Sequence, residues 1–409
     1  MKLVVVTPHF APDVAPTGTV WTRIVEELAK RGHEVEVVTS LPWYRTHAVE
    51  DDFAGKLVRH EDVPWGRITR LHPFPAPDKR ALFHRAAAFA GFSVMGAAIG
   101  SRGEPVDGVI AVSPPLTLGL TGLSIARARK GPLVFNIQDV YPDIAVELGV
   151  FDEGPLISAT RRLERFCYDH ADAVTVLSED LQDNVRAKTK DPSKVRVIPN
   201  FVDVDAIAPA DKNNSYRREF GLEGKTVVMY AGNVGLSQSL DIVLEAAGAL
   251  AYEPDLVFVI NGQGAARDEL VRKASGMSNV VFVDMQPIER LPEVLSSADM
   301  HLVPLKRGLA RSSVPSKTYS IMAAGRPVIA SVDAGSEVAR LVERSEGGIA
   351  VPPEDAEALT KAIRRLLDAP EEQERMGASG RSFVEGWASP AAVAGSYEAL
   401  IEELKGRRG

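Results

Sequence analysis

The chain has 409 residues, 45% hydrophobic and 25% charged, a soluble globular composition too long for one compact core, so two domains of ordinary size are expected. Its net charge of −8 argues against a surface that tracks nucleic-acid phosphates, which needs a basic excess. The single cysteine, Cys167, excludes an internal disulfide; in the helical run LERFCYDHAD it reads as a core residue rather than a nucleophile, and cytoplasm is the default compartment.

MKLVVVT opens the chain as a strand leading onto a loop, with neither the apolar length nor the cleavage site of a signal peptide. The loop PHFAPDVAPTGT follows. In it Gly18, just ahead of a helix, either lets a phosphate or sugar approach the backbone or makes a plain turn. Val20, Ile24, Val25 and Leu28 then keep the spacing of one buried helical face. Further strands are expected at EVEVVT, RITRLH, DGVIAV, PLVFNI, AVTVLS and VRVIP, alternating with helices as in a parallel sheet covered on both faces. Between them, residues 79–103 carry an apolar face bracketed by Lys79, Arg80, Arg85 and Arg102. That segment is too short to span a bilayer. It is either a helix packed on the sheet or a basic-rimmed helix resting on an anionic membrane.

Ligands of parallel sheets collect at the carboxyl ends of strands, so those loops matter most. SPPLT, with Ser113, Pro114 and Pro115, is suited to a rigid pocket wall. QDVYPD gathers Gln138, Asp139, Tyr141 and Asp143 at one strand end, where a carboxylate does acid or base work or caps the next helix; for Asp143 the cap is preferred. Residues 204–224 are polar and aperiodic, as in a linker. A second alternating series follows, with strands at TVVMYAG, DLVFVIN, NVVFVD, MHLVPL, RPVIAS and GGIAV.

Gly232, Asn233 and Gly235 lie between a strand and a helix, fit for phosphate contact. INGQG adds Gly262 and Gly264 but lacks the full dinucleotide fingerprint. Lys306, Arg307, Arg311 and Lys317 then concentrate positive charge, pointing to a bound phosphate more than to a solvated face, ahead of PSKTYSIMAAGRPVI, whose opening amides and Lys317 make either a phosphate-binding arrangement or an ordinary capped helix with a surface lysine. Apolar residues between Ser382 and Leu404 provide one or two terminal helices. No HxxxH, CxxC or closely spaced Asp pair suggests a metal site.

Taken in order, these segments resemble the glycosyltransferases of the GT-B fold, family four, the large retaining group that uses nucleotide sugars. HFAPDVAPTGT and RGHEVEVVT resemble the family's amino terminus, and VIPNFVDVDAIAP its hinge. YAGNVG, INGQG, NVVFVD, SSADMHLVPL and VPSKTYSIMAAGRPVIAS resemble its donor domain. SPPLTLGL and QDVYPD resemble a branch of transferases acting on N-acetylated sugars in cell-surface polysaccharide synthesis. The implied fold class is α/β, two facing Rossmann-like domains with a deep cleft between them. Its boundaries are 1–203 for the acceptor-side domain, 204–224 for the linker and 225–384 for the donor domain, with helices in 385–409 packing back on the first domain.

The resemblance implies catalytic roles for Lys317, at the donor diphosphate, and Asp139, near the reacting sugar. The donor set is Gly18, Gly232, Asn233, Gly235, Gly262, Met285, Gln286, Lys306, Arg311, Ser312, Ser313, Val314, Lys317 and Ser320, with Met285 and Gln286 bordering the base. Ser113, Pro114, Gln138 and Tyr141 fall on the acceptor side. Two departures stand out: the family's Glu-x7-Glu pair falls on Ser312 and Ser320, and its Arg and Lys after the glycine loop fall on Asn233 and Gln238. The partners implied are a nucleotide-sugar donor, with UDP as nucleotide, and a saccharide or lipid-linked acceptor; no cofactor, metal or nucleic acid is expected. The resulting expectation is a retaining, metal-independent transferase, cytoplasmic, and peripheral on the inner membrane face if 79–103 touches lipid. The alternatives are a UDP-sugar epimerase of the same fold, hydrolysing or non-hydrolysing, and a degenerate nucleotide-sugar-binding homologue.

Overall fold

The computed structural model describes all residues except 46–47, 75–81, 144–145, 147–153, 309–315 and 409, and the side chains of 82–88 and 316 also lie outside the description. The chain forms two compact units, Met1–Asn200 with Pro390–Gly409, and Phe201–Ser389.

In the first unit β1 (Lys2–Val6), β2 (Glu34–Ser40), β3 (Val58–Val63), β4 (Gly66–Leu71), β5 (Gly108–Ser113), β6 (Leu133–Ile137), β7 (Ala173–Val176) and β8 (Val195–Val197) form one sheet. Their order is β3-β4-β2-β1-β5-β6-β7-β8. All neighbours are parallel except β3 and β4. The central strands are runs of Val, Ile and Leu because helices cover both faces: α1 (Pro16–Lys30), α2 (Leu82–Gly100), α3 (Leu118–Ala128), α4 (Pro155–His170) and α5 (Glu179–Arg186). Pro16 starts α1, where its missing N–H costs nothing, and Ile24, Val25 and Leu28 are buried as their spacing predicts. Strand β3 is not among the strands expected from the sequence. Its text, VRHEDV, is polar because it is an edge strand closing a hairpin onto β4.

One face of α2 packs inward, while Val94 on the other is 68% exposed. Phe92 and Ser93 are buried, the Ser93 hydroxyl donates to Thr117 Oγ1 at 2.8 Å, and a Cβ on Gly100 would meet Ile125 at 2.5 Å. This portion of 79–103 is a helix on a sheet, and no described helix is long and apolar enough to cross a membrane.

The second unit winds β9 (Thr226–Ala231), β10 (Leu256–Asn261), β11 (Val280–Val283), β12 (Met300–Pro304), β13 (Val328–Ser331) and β14 (Gly348–Val351) in the order β11-β10-β9-β12-β13-β14. Every pair is parallel, the doubly wound order of a nucleotide-binding fold. Its helices are α6 (Ser215–Glu219), α7 (Asp241–Ala249), α8 (Arg267–Lys273), α9 (Leu291–Ser296), α10 (Ser316–Ala323), α11 (Glu337–Ser345), α12 (Ala356–Leu367) and α13 (Pro370–Trp387).

Residues 204–224, expected as a linker, fold with this unit. Asn214 caps α6 by accepting from the Arg217 amide, Tyr216 and Leu222 are buried, and Tyr216 packs on Phe220 with ring centroids 4.7 Å apart. The terminal boundary also moves. Residues 385–389 stay with the second unit, and only α14 (Pro390–Gly406) belongs to the first. There Tyr397 lies 5.2 Å from Trp21, ring to ring, and its hydroxyl accepts from Asn136 Nδ2 at 3.0 Å.

Strand order reverses between β1 and β5 in the first sheet and between β9 and β12 in the second. Those two switch points are where a parallel sheet opens a crevice for ligand.

Candidate functional site

At the second switch point β9 delivers the chain into Gly232, whose φ of +135° strongly favours glycine. A Cβ on Gly262 would fall 1.9 Å from the Gly232 carbonyl oxygen, and one on Gly264 would fall 2.3 Å from that of Val234. The Val234 amide donates to the Gln263 carbonyl at 2.8 Å, and the Ala266 amide to the Val234 carbonyl at 3.0 Å. The loops after β9 and β10 are thus locked backbone to backbone, which gives these glycines a packing reason as well as a ligand-approach one. The Gly235 amide donates to Gln238 Oε1 at 2.9 Å, so Gln238, standing where the family carries a cation, closes the loop. Exposed Asn233 offers its carbonyl to the Tyr230 hydroxyl.

Lys317, in the first turn of α10, reaches this loop. Its Nζ sits 3.9 Å from the Tyr230 ring centroid, and a Cβ on Gly232 would lie 2.9 Å from both Cε and Nζ. No hydrogen bond or ion pair to Lys317 exists among the described residues. Burial alone pushes its pKa down to about 8. The tyrosine face replaces part of the lost hydration, but among the described residues the ammonium has no anion beside it.

Lys306, half-buried after β12, ties the two loops through its amide, which donates to the Ser237 carbonyl at 3.0 Å. Arg307 turns toward the Pro353 carbonyl. Ser320 is half-buried on α10. Met285, 44% exposed, and Gln286, whose Oε1 accepts from Arg290 Nη1 at 2.7 Å, follow β11. Two strand spacings, roughly 10 Å, separate that loop from the β9 exit. Arg311, Ser312, Ser313 and Val314 lie outside the described residues.

In the first unit Asp139 follows β6, half-buried, and burial raises its pKa above the usual Asp value. It has no partner among the described residues. Asp143 is the opposite case. Burial raises it, but Lys188 at 2.6 Å and Asn184 at 3.2 Å outweigh that and hold it low. Lys188 also donates to Glu164 at 2.8 Å, so Asp143 serves as an ion-paired anchor for α4 and α5. Gln138 is a strut: its Nε2 donates to Asn136 Oδ1 at 2.7 Å, and its Oε1 accepts from Asn200 Nδ2 at 2.8 Å. Ser113 is buried, Pro114 half-buried and Tyr141 exposed. Cys167 is buried, its thiol pushed up to about 12 by desolvation and then by the Glu164 charge, which leaves it inert.

Gly18, buried in the first turn of α1, admits the loop before it: a Cβ there would stand 2.9 Å from His9 Cβ. His9 and Asp13 themselves escaped the sequence reading. They are bonded at 2.7 Å at the exit of β1; an HxxxD pair in the loop PHFAPD was the available signal. Among the described residues no three His, Cys, Asp or Glu side chains converge as a metal site.

Residues 17–200 match the family model of the Glycosyl transferase 4-like domain, and residues 225–369 that of the Glycosyl transferases group 1. A putative colanic acid biosynthesis glycosyl transferase, WcaI of Escherichia coli K12, is 30% identical over 383 residues, spanning 90% of this chain and 93% of its own. The chain belongs to the glycosyltransferases of the GT-B type. Solved structures agree on the fold. Sucrose-phosphate synthase from Thermosynechococcus elongatus superposes with a TM-score of 0.67 at 22% identity, covering 100% of both chains. Anabaena Alr3699/HepE in complex with UDP gives 0.65 at 13% identity, covering 98% of this glycosyltransferase and 100% of that chain.

Proposed function

We propose that this glycosyltransferase moves a sugar, an N-acetylated one being the first candidate, from a UDP-sugar to a polysaccharide or glycolipid precursor, with retention and without a metal ion. It works on the cytoplasmic side. The observation that carries the reading is Lys317: a half-buried ammonium at the carboxyl end of β9, facing a glycine turn, with no carboxylate among the described residues to neutralise it. UDP as the nucleotide is supported by the solved neighbour that holds UDP, and a cell-surface acceptor by the colanic acid relative.

As the bond from the sugar to the diphosphate breaks, negative charge grows on the leaving oxygen. Lys317 meets that charge from a site poor in water, where a fixed cation is most effective. The leaving phosphate oxygen takes the proton of the acceptor hydroxyl on the face where the new bond forms, which retains configuration and needs no nucleophile from the chain. Ser320 leaves α10 without the family's carboxylate, so the donor is held chiefly by Lys317, Lys306 and loop amides. Asp139, held away from water, orients the reacting sugar or its acceptor.

A panel of UDP- and GDP-sugars, incubated with and without a lipid-linked saccharide acceptor and read by product NMR, tests this. The expected result is UDP release that depends on acceptor, with a product of the donor's anomeric configuration. Acceptor-free isomerisation of the donor would move the assignment to an epimerase. Binding without turnover would leave a nucleotide-sugar-binding protein.

A further inference from the structure

Four hydrogen bonds hold the exit of β1 in one shape. Thr7 Oγ1 donates to the His9 carbonyl at 3.1 Å, Ser40 Oγ to the Pro8 carbonyl at 2.6 Å, and Arg70 Nη2 to the Ala11 carbonyl at 2.6 Å. The Asp13 amide donates to the Phe10 carbonyl at 3.1 Å. Within this frame the Asp13 side chain is fully buried. Its Oδ1 accepts from the Tyr44 amide at 3.2 Å and its Oδ2 from His9 Nδ1 at 2.7 Å.

A carboxylate only accepts, so His9 Nδ1 carries the proton of this bond, and in the neutral tautomer Nε2 then presents a lone pair. That nitrogen has no partner among the described residues, nor is it sealed from solvent. The ring cannot turn away. Trp43 stacks on it at 5.6 Å and 28°, and Tyr44 meets it edge-on at 5.4 Å. Trp43 is half-buried and Tyr44 41% exposed.

This feature stands at the switch point of the first sheet, between β1 and β5, the place where a parallel sheet receives ligand. An aimed acceptor atom beside aromatic faces is the chemistry that recognises a sugar: a hydroxyl donates to nitrogen while the apolar face of a pyranose lies on a ring. We propose that His9, with Trp43, is a saccharide-binding site for the acceptor, and that Asp13 is a positioning residue that fixes the imidazole tautomer. The proposal rests on the transferase reading for the identity of the saccharide, whereas the donor site of the second unit is independent of it.

The test uses full-length protein saturated with UDP and titrated with methyl glycosides of glucose, galactose, mannose and N-acetylglucosamine. Binding is followed by saturation-transfer NMR, and the His9 ring by long-range proton–nitrogen correlation. At least one pyranoside is expected to saturate and to move the His9 Nε2 resonance while Nδ1 stays protonated. His9→Ala and Trp43→Ala should each weaken that binding roughly fivefold to tenfold, the scale of one lost hydrogen bond or ring contact. His9→Gln, whose amide still offers an oxygen, should recover part of it, and Asp13→Asn should weaken binding with loss of the single tautomer. UDP affinity should stay the same in every folded variant, so loss of UDP binding by the wild type would count against the donor assignment alone. No saturable pyranoside, or equal binding by wild type, His9→Ala and His9→Gln, overturns the proposal.

Discussion

The two edges of each sheet treat charge in opposite ways. At the amino edge of the second sheet buried Asp299 accepts from Arg217 Nη2 at 2.7 Å, the Val227 amide at 2.8 Å and Lys212 Nζ at 2.5 Å. Arg217 donates its remaining groups to the Ser297 and Lys225 carbonyls at 2.7 and 2.9 Å. At the carboxyl edge of the same sheet Lys317 has, among the described residues, only the face of Tyr230. The first sheet repeats the pattern. Asp107 takes the Lys2 amide and Lys405 at its amino edge, and Asp172 takes the Leu133 amide and Arg408. At its carboxyl edge Asp139 and His9 Nε2 stay unengaged by the described residues. At these amino edges ionic groups neutralise one another, whereas Lys317, Asp139 and His9 Nε2 at the carboxyl edges lack an ionic partner or hydrogen-bond partner among the described residues, although Asp143 there is paired with Lys188.

Substitutions at the two edges should therefore separate stability from binding. Asp299→Ala is expected to cost about 3 to 5 kcal/mol of folding stability, since it strands the Arg217 charge in the interior; urea unfolding measures it. Burial raises the Asp299 carboxyl, but Lys212, the Val227 amide and Arg217 hold its pKa below the ordinary value. A depressed carboxyl pKa stabilises the fold above the unfolded value, and that contribution is lost as pH falls through the folded one. Lys317→Ala should leave stability equal or higher, yet weaken UDP-sugar binding by about 1.5 to 3 kcal/mol, the scale of a charge-assisted hydrogen bond. An unfolding midpoint lowered as far as by Asp299→Ala would erase the contrast between the edges.

The Lys317 pKa of about 8 sets a pH dependence of definite sign. An anionic donor binds the ammonium better than the amine, so affinity should fall above pH 8, by up to about tenfold per unit, with no such limb in Lys317→Arg. Stability moves the other way. Because the folded pKa lies below the ordinary 10.5, the unfolded chain binds more protons between those values, and the Lys317 contribution to stability rises with pH there. Asp139→Asn should reduce turnover by roughly tenfold while donor affinity changes less; equal losses in kcat and donor affinity would place Asp139 in donor binding instead. The smallest expected effect is none: EDTA should leave initial rates unchanged.

Most of the fold was legible because buried parallel strands read as unbroken Val, Ile and Leu runs. What stayed hidden had a physical cause in each case. VRHEDV at β3 is polar because an edge strand faces water, and residues 204–224 looked like a linker because α6 is one turn and a half holding a single buried face, with Tyr216 and Leu222 among charged neighbours. Lys317 was legible through its helix opening and family resemblance. What spares it is a tertiary fact, since the Tyr230 face and the Gly232 turn come from a strand far away in sequence. His9 and Asp13 were passed over because their spacing means a pair only once the loop between them folds back, which the loop text does not announce.

Among the described residues Lys317 has no anion, which suits it to bind one. Calorimetric titration of UDP into wild type and Lys317→Ala at pH 7 and pH 9 tests it most directly. Wild type is expected to bind tighter at pH 7 than at pH 9, and Lys317→Ala to bind weakly and equally at both. Equal affinity of the two proteins at pH 7 would contradict it.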